Sequence, residues 1–410
     1  VGIIGIGYIG LSLALEISKK YSVIAYDKSR KRIKELNSNL DSTYEHNLKN
    51  TNTSNIKFTH STSNLYKCNI YIIAVPTPVK KNKPDLQLTL SATNIVAKNI
   101  KKGDIVIYES TFYPGVTEDI CAVKIEKISK LKLNRDFFVG YSPERINPGD
   151  KTRTISKIRK ITSGSSKISA NFIDKFYKTF IKAGTYKVDS IKIAEAAKVI
   201  ENTQRDLNIA LINEFSIIFD RLNIDTFKIL DAANTKWNFI NFEPGLVGGH
   251  CIGVDPYYLT YISKKFGYDP KIIDSGRDVN DNYYKHLGKK ILFFLNKKKN
   301  PRVLILGFTF KENCTDIRNT KIFDLYKLLS KKLKVDIHDE LADHSKVKKI
   351  YNLKLIKKIK LNAYDLIVFP LKHKYIITKK ESFYNKFLKK NGLIFDLKNI
   401  FKKSKTVIKI

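Results

Sequence analysis

Val1-Gly2-Ile3-Ile4-Gly5-Ile6-Gly7-Tyr8-Ile9-Gly10 is an apolar run broken by glycines, and Leu11 to Ile17 continue it as a stretch of helical length. A strand that feeds a Gly-x-Gly-x-x-Gly turn and then a helix sets backbone amides at the positive helix end, where they can meet a pyrophosphate. The motif alone is weak. It gains weight from Asp27, at the end of the next apolar run Ser22–Asp27, where a carboxylate can accept hydrogen bonds from both ribose hydroxyls. Gly5, Gly7, Tyr8, Ile9, Gly10 and Asp27 are therefore expected to bind a dinucleotide. Asp27 would repel a 2'-phosphate, so NAD is preferred, while Lys28, Arg30 and Arg32 keep NADP open. Arg32 could instead lie over the adenine or its phosphate.

Outward from this unit, Asn69–Val75, Asp104–Glu109 and Phe137–Tyr141 read as further strands with helical patterns between them, which predicts a parallel, doubly wound sheet. From Ile191 to Leu222 the period changes to a helix without Pro or Gly, with apolar residues at Ile193, Ala197, Ile200, Leu207, Leu211, Phe215 and Ile218. At about 50 Å by the rise per residue it is a spine between domains. After a loop-rich stretch from Trp237 to Tyr258, four more strands are expected at Arg302–Gly307, Lys334–His338, Leu366–Phe369 and Leu393–Asp396. The predicted class is α/β, two Rossmann-like domains joined by a long central helix. The boundaries are 1–185 for the first domain, 186–292 for a helical middle domain with a cysteine loop, and 293–410 for the last. A chain of 410 residues needs more than one core. No solenoid repeat is present.

The formal net charge of +36 raises the question of nucleic acid. The lysines, however, are scattered between Ile and Leu, as in Ile322–Leu333 and Ile350–Leu361, with no aromatic platform. A solvated lysine-rich surface is the better reading, with a mild attraction for anionic substrates and no nucleic-acid partner. Cys68, Cys121, Cys251 and Cys314 are far apart, without disulfide or zinc spacing, so no metal is expected and a reducing, cytoplasmic compartment fits. No apolar run reaches membrane-span length. The opening Val1-Gly2-Ile3-Ile4 reads as a core strand without a charged leader, and the lack of any Met suggests a trimmed N-terminus.

Several segments are candidates for chemistry. Val75-Pro76-Thr77-Pro78 and Glu109-Ser110-Thr111 each follow a strand's C-terminal end, where open α/β sheets bind ligands, although Thr77 also suits an ordinary turn. Lys198, Asn202 and Arg205 project from one helix face. Such a trio is often merely solvated, but a cation and an amide donor converging on one point also suit an oxyanion or a sugar hydroxyl. The most informative segment is Gly245-Leu246-Val247-Gly248-Gly249-His250-Cys251-Ile252-Gly253-Val254-Asp255-Pro256. Its glycines let backbone approach a ligand, and Pro256 reads as a helix start. A thiol at a helix N-terminus is favoured as thiolate, which nucleophilic catalysis needs, and Asp255 could lie on its side. A lone cysteine is otherwise a small buried hydrophobe.

With these stretches, Tyr141-Ser142-Pro143-Glu144-Arg145-Ile146-Asn147-Pro148-Gly149-Asp150, Lys198–Asp206, Lys236-Trp237-Asn238-Phe239 and Gly307-Phe308-Thr309-Phe310-Lys311, the chain resembles the UDP-glucose/GDP-mannose dehydrogenase family over nearly its whole length. The resemblance is greatest to the UDP-N-acetylhexosamine branch. It implies NAD-dependent, four-electron oxidation at C6 of a UDP-N-acetylhexosamine, most nearly UDP-N-acetylglucosamine, for surface polysaccharide synthesis. Cys251 would capture the C6 aldehyde and a second NAD would oxidise the adduct to a thioester. Lys198 would hold the C6 oxygen and shuttle its proton with Asn202, while Asp255 and Glu144 would handle the hydrolytic water near Thr111. Arg145, Ile146, Lys198, Asn202, Arg205, Gly248, Phe310 and Lys311 are implied substrate contacts, and Arg277 one that reaches a neighbouring subunit's site. Asp27, Arg32, Thr77, Thr111 and Arg318 are implied NAD contacts. A homodimer through the central helix is also implied. One departure is that Ser142-Pro143-Glu144 is followed by Pro148, where UDP-glucose members carry a second Glu. A two-electron NAD dehydrogenase would need no cysteine and would leave Lys311 and Arg318 idle, and a non-catalytic descendant would have lost Cys251 or Lys198.

Overall fold

The alternation read from the sequence becomes two parallel sheets in the computed structural model, which describes all residues except 44–45 and 147–151. The chain divides into two compact units, Val1–Glu201 with Tyr257–Tyr268, and Asn202–Pro256 with Asp269–Ile410.

In the first unit the strands are β1 (Gly2–Ile4), β2 (Val23–Tyr26), β3 (Ile56–Thr59), β4 (Ile70–Ile73), a small hairpin β5 (Val79–Lys80) and β6 (Lys83–Pro84), then β7 (Ile105–Tyr108), β8 (Phe138–Tyr141), β9 (Lys160–Gly164) and β10 (Thr185–Lys187). Among the described residues the main sheet runs β10-β9-β8-β7-β4-β1-β2-β3, with β8 and β9 antiparallel and the other neighbours parallel. β1, β4 and β7 are apolar because helices cover both faces of the sheet. Ile3, Ile72 and Ile107 join Leu11, Leu13 and Ile17 of the helix Tyr8–Ile17 and Phe176 and Tyr177 of the helix Lys167–Lys178 in one core. β3, β9 and β10, which no sequence signal marked, are short and carry Lys57, Lys160 and Lys187.

The second unit repeats the device with β11 (Arg302–Leu306), β12 (Lys334–His338), β13 (Tyr364–Phe369), β14 (Leu388–Asp396) and β15 (Val407–Lys409), in the order β12-β11-β13-β14-β15, all parallel. The sheet thus has five strands where four were expected. Its core draws Tyr283, Leu287, Ile291 and Leu295 from the helix Lys271–Leu295. The long helix spans Ile191–Arg221, within one residue of its reading, and its residues from Asn202 onward belong to this unit. Among the described residues no helix is long and apolar enough to cross a membrane.

Both sheets turn from first strand into loop at a left-handed glycine backed by the acid that ends the second strand. Gly5 (φ 95°) donates to Tyr26 O at 2.9 Å, and Ile6 N donates to Asp27 Oδ2 at 2.9 Å. Gly307 (φ 111°) donates to His338 O at 2.8 Å, and Phe308 N donates to Asp339 Oδ2 at 2.6 Å. The three early glycines have different reasons. A Cβ on Gly10 would stand 1.9 Å from Gly5 O, whereas one on Gly7 would meet no atom of the chain within 4 Å. We therefore expect Gly10→Ala to cost roughly 2–4 kcal/mol of unfolding free energy in denaturant titrations. Gly7→Ala should stay within about 1 kcal/mol of the parent and instead weaken NAD binding.

Candidate active site

The first unit presents the Gly5–Gly10 turn and the strand ends. Gly7 caps the helix Tyr8–Ile17 with backbone alone; among the described residues no side chain caps it, so its amide face is the open one. Asp27 is partly exposed, and its two oxygens each accept one backbone N–H, from Ile6 at 2.9 Å and Ser29 at 2.8 Å. Each oxygen retains a lone pair for a ribose hydroxyl, so these residues fit a dinucleotide. Tyr8 O accepts from Ser12 Oγ, and Ile9 packs on the core. Arg32 is committed within the protein: Nε donates to Ile6 O at 2.8 Å and a terminal nitrogen pairs with Asp41 at 2.8 Å. Its guanidinium thereby braces the Gly5–Gly10 turn from beneath. Thr77 lies partly buried just after β4, and its carbonyl accepts from Tyr258 OH at 2.7 Å.

Thr111 follows β7 and is partly buried. Glu109, two residues before it, is buried and receives Lys160 and the Tyr177 hydroxyl. Lys160 also reaches Ser142 O at 3.3 Å and Pro143 O at 3.2 Å, so one buried cation fixes the backbone that delivers Glu144. Burial pushes the Glu144 carboxyl up to about 7 against the opposing charges of Lys198, Lys160 and Arg145, with Glu109 reinforcing the rise. Ile146 N donates to Glu144, and Arg145 pairs with Glu201 and donates to Lys198 O at 3.3 Å. Pro148, where the sequence departs from the UDP-glucose members, lies outside the described residues. Lys198 is buried, and Glu195, three residues before it, accepts from Gly115 N, Thr117 N and Thr117 Oγ1 at 2.6–2.9 Å. These bonds hold the π-helical turn Val116–Ala122.

In the second unit the glycine segment is held at both ends by amides of the long helix. Asn213 Nδ2 donates to Gly245 O at 3.0 Å while its Oδ1 accepts from Gly245 N at 2.8 Å, and Asn202 Nδ2 donates to Asp255 at 2.6 Å. The side chains of Asn202, Asn213 and Asp255 are buried, and so is Gly245. Between them Gly248 and Gly249 press on Phe310 and Asn319. A Cβ on Gly248 would lie 2.6 Å from Asn319 O, and one on Gly249 (φ 85°) 2.6 Å from the Phe310 ring. Cys251 O accepts from Val254 N at 3.0 Å and Asp255 N at 2.8 Å, a tight turn ahead of the helix Pro256–Lys265. The helix begins where the sequence placed it, but the thiol stands one turn before it rather than at its first residues. His250 Nδ1 lies 3.1 Å from the Cys251 sulfur. His250 Nε2 lies 3.5 Å from Asp316, and Arg318 Nε holds both oxygens of that carboxylate at 3.0 Å.

Burial separates the four thiols. Cys68, Cys121 and Cys314 are buried, which raises each of them, Cys121 to about 12; Cys251 is partly exposed. Arg205 is exposed although Lys198 and Asn202 on the same helix are buried. Arg277, read as reaching toward a neighbouring subunit, is buried and spans Asp206 and Asp281 at 2.6 Å each. A Cβ on Gly253 would lie 3.7 Å from it, so it underlies the cysteine turn. Lys311 sets its ammonium 5.7 Å over the Phe310 ring. Among the described residues no group of three or more His, Cys, Asp or Glu is placed to share a metal.

Three domain descriptions match the chain in order: the NAD binding domain of the UDP-glucose/GDP-mannose dehydrogenase family at residues 1–181, its central domain at 192–282 and its UDP binding domain at 304–403. The chain belongs to the UDP-glucose/GDP-mannose dehydrogenase family. It is 48% identical to a UDP-N-acetyl-D-glucosamine 6-dehydrogenase of Salmonella typhi, over 98% of this chain and 96% of that protein. It is 46% identical to one of Pseudomonas aeruginosa, over 100% and 99%. The solved UDP-D-ManNAc dehydrogenase of Pyrococcus horikoshii superposes with a TM-score of 0.86 at 28% identity, covering 98% and 97%. As a UDP-glucose/GDP-mannose dehydrogenase family member, the chain is a nucleotide-sugar dehydrogenase with an NAD-binding domain and a UDP-binding domain.

The sequence reading missed His250, although it adjoins Cys251, and missed Asp316, Asn213, Glu195 and the Glu109–Lys160 pair, whose partners are distant in sequence. Glu144 and Glu195 are both pushed up to about 7 by burial, and Asp206 to about 6. The folded chain thus keeps protons that the unfolded chain releases above its ordinary carboxylate range. Stability therefore falls as pH rises from about 4.5 to about 7. Glu144→Gln should flatten this slope, by up to roughly 3 kcal/mol between pH 5 and 8 in denaturant unfolding.

Proposed function

We propose that the chain oxidises the C6 hydroxymethyl of UDP-N-acetylglucosamine to the uronate in two NAD-dependent steps joined by a thioester on Cys251. The observation that carries this reading is the Cys251 turn, hung between two buried amide clamps with Asp255 held by Asn202. The choice of sugar is supported by identities of 46–48% to UDP-N-acetyl-D-glucosamine 6-dehydrogenases against 30–32% to UDP-N-acetyl-D-mannosamine dehydrogenases.

NAD, held by the Gly5–Gly10 turn and Asp27, would supply the hydride acceptor for each oxidation at C6. The first oxidation frees the hydroxyl proton; Lys198, buried and paired in charge with Glu144, is assigned to hold that oxygen and pass the proton on, with Asn202 assisting. The Cys251 sulfur then bonds to the aldehyde carbon, and the second hydride loss leaves the thioester. Water adds to it, the carbon–sulfur bond breaks, and the uronate and thiol are released. Glu144 and Asp255 are assigned to take the water's proton, near Thr111. Because Glu144 is neutral below about 7, hydrolysis should quicken as pH rises through that value.

Arg145, Ile146, Arg205, Gly248, Phe310 and Lys311 are the proposed substrate contacts, with Arg277 supporting them from beneath Gly253. Thr77, Thr111 and Arg318 are proposed to join Asp27 and the Gly5–Gly10 turn at NAD, Arg32 acting through that turn. On this reading the functional domains are 1–185, 186–292 and 293–410, and the product feeds a surface polysaccharide from the cytoplasm. A homodimer through the long helix is also proposed. Ile193, Ile200, Leu211 and Ile218 of that helix are 44–56% exposed, an apolar row that a second copy would cover.

The test offers the purified protein UDP-N-acetylglucosamine, UDP-N-acetylgalactosamine, UDP-N-acetylmannosamine and UDP-glucose in parallel and counts NADH per sugar consumed. We expect two on UDP-N-acetylglucosamine, and none from Cys251→Ala beyond the aldehyde stage while that variant still binds NAD and the UDP-sugar. One NADH per sugar would replace the reading with a simple two-electron dehydrogenation, and full turnover to acid by the variant would remove the Cys251 thioester from the route.

A further inference from the structure

We propose that His250 is the base that takes the proton of the Cys251 thiol, assisted by the charge of Asp316. The inference rests on the reading of Cys251 as the nucleophile and adds the group that arms it. An ordinary thiol has a pKa near ~8.5 and is only a few per cent thiolate at neutral pH, so a nucleophilic cysteine needs either a positive environment or a base. The helix dipole is not placed to supply it, since the helix starts at Pro256, five residues on. A base is in place.

His250 Nδ1 faces Sγ at 3.1 Å and Nε2 faces the Asp316 carboxylate at 3.5 Å. With the ring proton on the Asp316 side, Nδ1 offers its lone pair to the thiol. Burial would raise the Asp316 carboxyl, but its hydrogen bond and charge contact with Arg318, with His250 adding, hold it below its usual range and therefore ionised. Nε2 makes no hydrogen bond to Asp316 at that distance, so the ionised carboxylate acts through its charge and favours the imidazolium once the proton arrives. The ring is backed by Phe310, centroids 5.9 Å apart, and the residue before it is pinned by Asn319 Nδ2 donating to Gly249 O at 3.1 Å. The charged groups around the pair are Asp316 and Arg318 from the 314–319 loop, Lys311 beyond the Phe310 ring, Asp255 on the same turn, and Arg277 beneath Gly253.

The step balances within the protein. The S–H bond breaks as the Nδ1–H bond forms; the sulfur electron pair then makes the C–S bond while the carbonyl pair moves to oxygen. On hydrolysis the sulfur leaves with its pair and recovers the proton from the imidazolium.

The experiment reads the thiol, not turnover. The full chain is alkylated with iodoacetamide at pH 5–10, and the Cys251 peptide is quantified by mass spectrometry for the parent, His250→Gln and Asp316→Asn. We expect the parent to react with a midpoint below about 7.5, His250→Gln to shift it to that of an ordinary thiol near ~8.5 and slow alkylation at pH 7 at least tenfold, and Asp316→Asn to fall between. A parent midpoint at or above 8.5, which needs no variant to observe, or a His250→Gln profile matching the parent in a variant that binds NAD normally, overturns the proposal. Failure of the nucleophile reading shows separately, as acid formed by Cys251→Ala.

Discussion

The glycine segment must be loose enough to admit a ligand against its backbone and rigid enough to hold a thiol in one place, and two buried asparagines reconcile these demands. Asn213 grips Gly245 through both its amide atoms, and Asn202 grips Asp255. The two stand 11 residues apart on one continuous helix, a separation of about 16 Å. The ten peptide steps between the gripped residues could span about twice that, so the segment doubles back and its slack is taken up at Cys251. The Asn213 amide, buried with both atoms paired, is costly to disrupt because the Gly245 backbone would be left unsatisfied, and loss of Asn202 would take a donor from the buried Asp255 carboxylate. The helix therefore acts as a ruler for the loop, and the same helix carries Glu195 and Lys198.

The 31-residue helix contains no Pro or Gly, and its buried Glu195, Asn202 and Asp206 each hold a partner outside it. Glu195 closes the π-helical turn after Thr111, Lys198 lies beside Glu144, and Asp206 receives Arg277 and Asn280. Each buried acid is neutralised by burial or by a cation, so electrostatic strain is confined to a few groups that titrate near neutrality. Shifted carboxyls of this kind are the ones general acid–base chemistry uses, and Glu144 is the one assigned to it above.

The α/β rhythm, the long helix and the glycine motifs were legible because they depend on local period. β11 and β12 began where the sequence put them, and the helix at Pro256 did too. β3, β10 and β15 were not legible: each is three or four residues at or near a sheet edge, with a lysine where a core residue would have signalled a strand. β9 was lost for a different reason. Lys160 reads as solvent-facing, yet it is buried because Glu109, 51 residues earlier, neutralises it. The same limit applies to the site. Cys251 and Asp27 announce themselves through neighbours in sequence, while Asp316 and Asn213 gain their roles only from folding.

The central claim is that carbon becomes covalently attached to Cys251 between two oxidations. It is tested most directly by mixing the Glu144→Gln variant, which lacks one of the carboxyls assigned to the hydrolytic water, with NAD and UDP-N-acetylglucosamine, quenching in acid, and weighing the intact chain and its Cys251 peptide. The account predicts an added UDP-N-acetylglucosaminuronyl mass on Cys251 that decays as free uronate appears. Uronate formed with Cys251 unmodified at every quench time would contradict it.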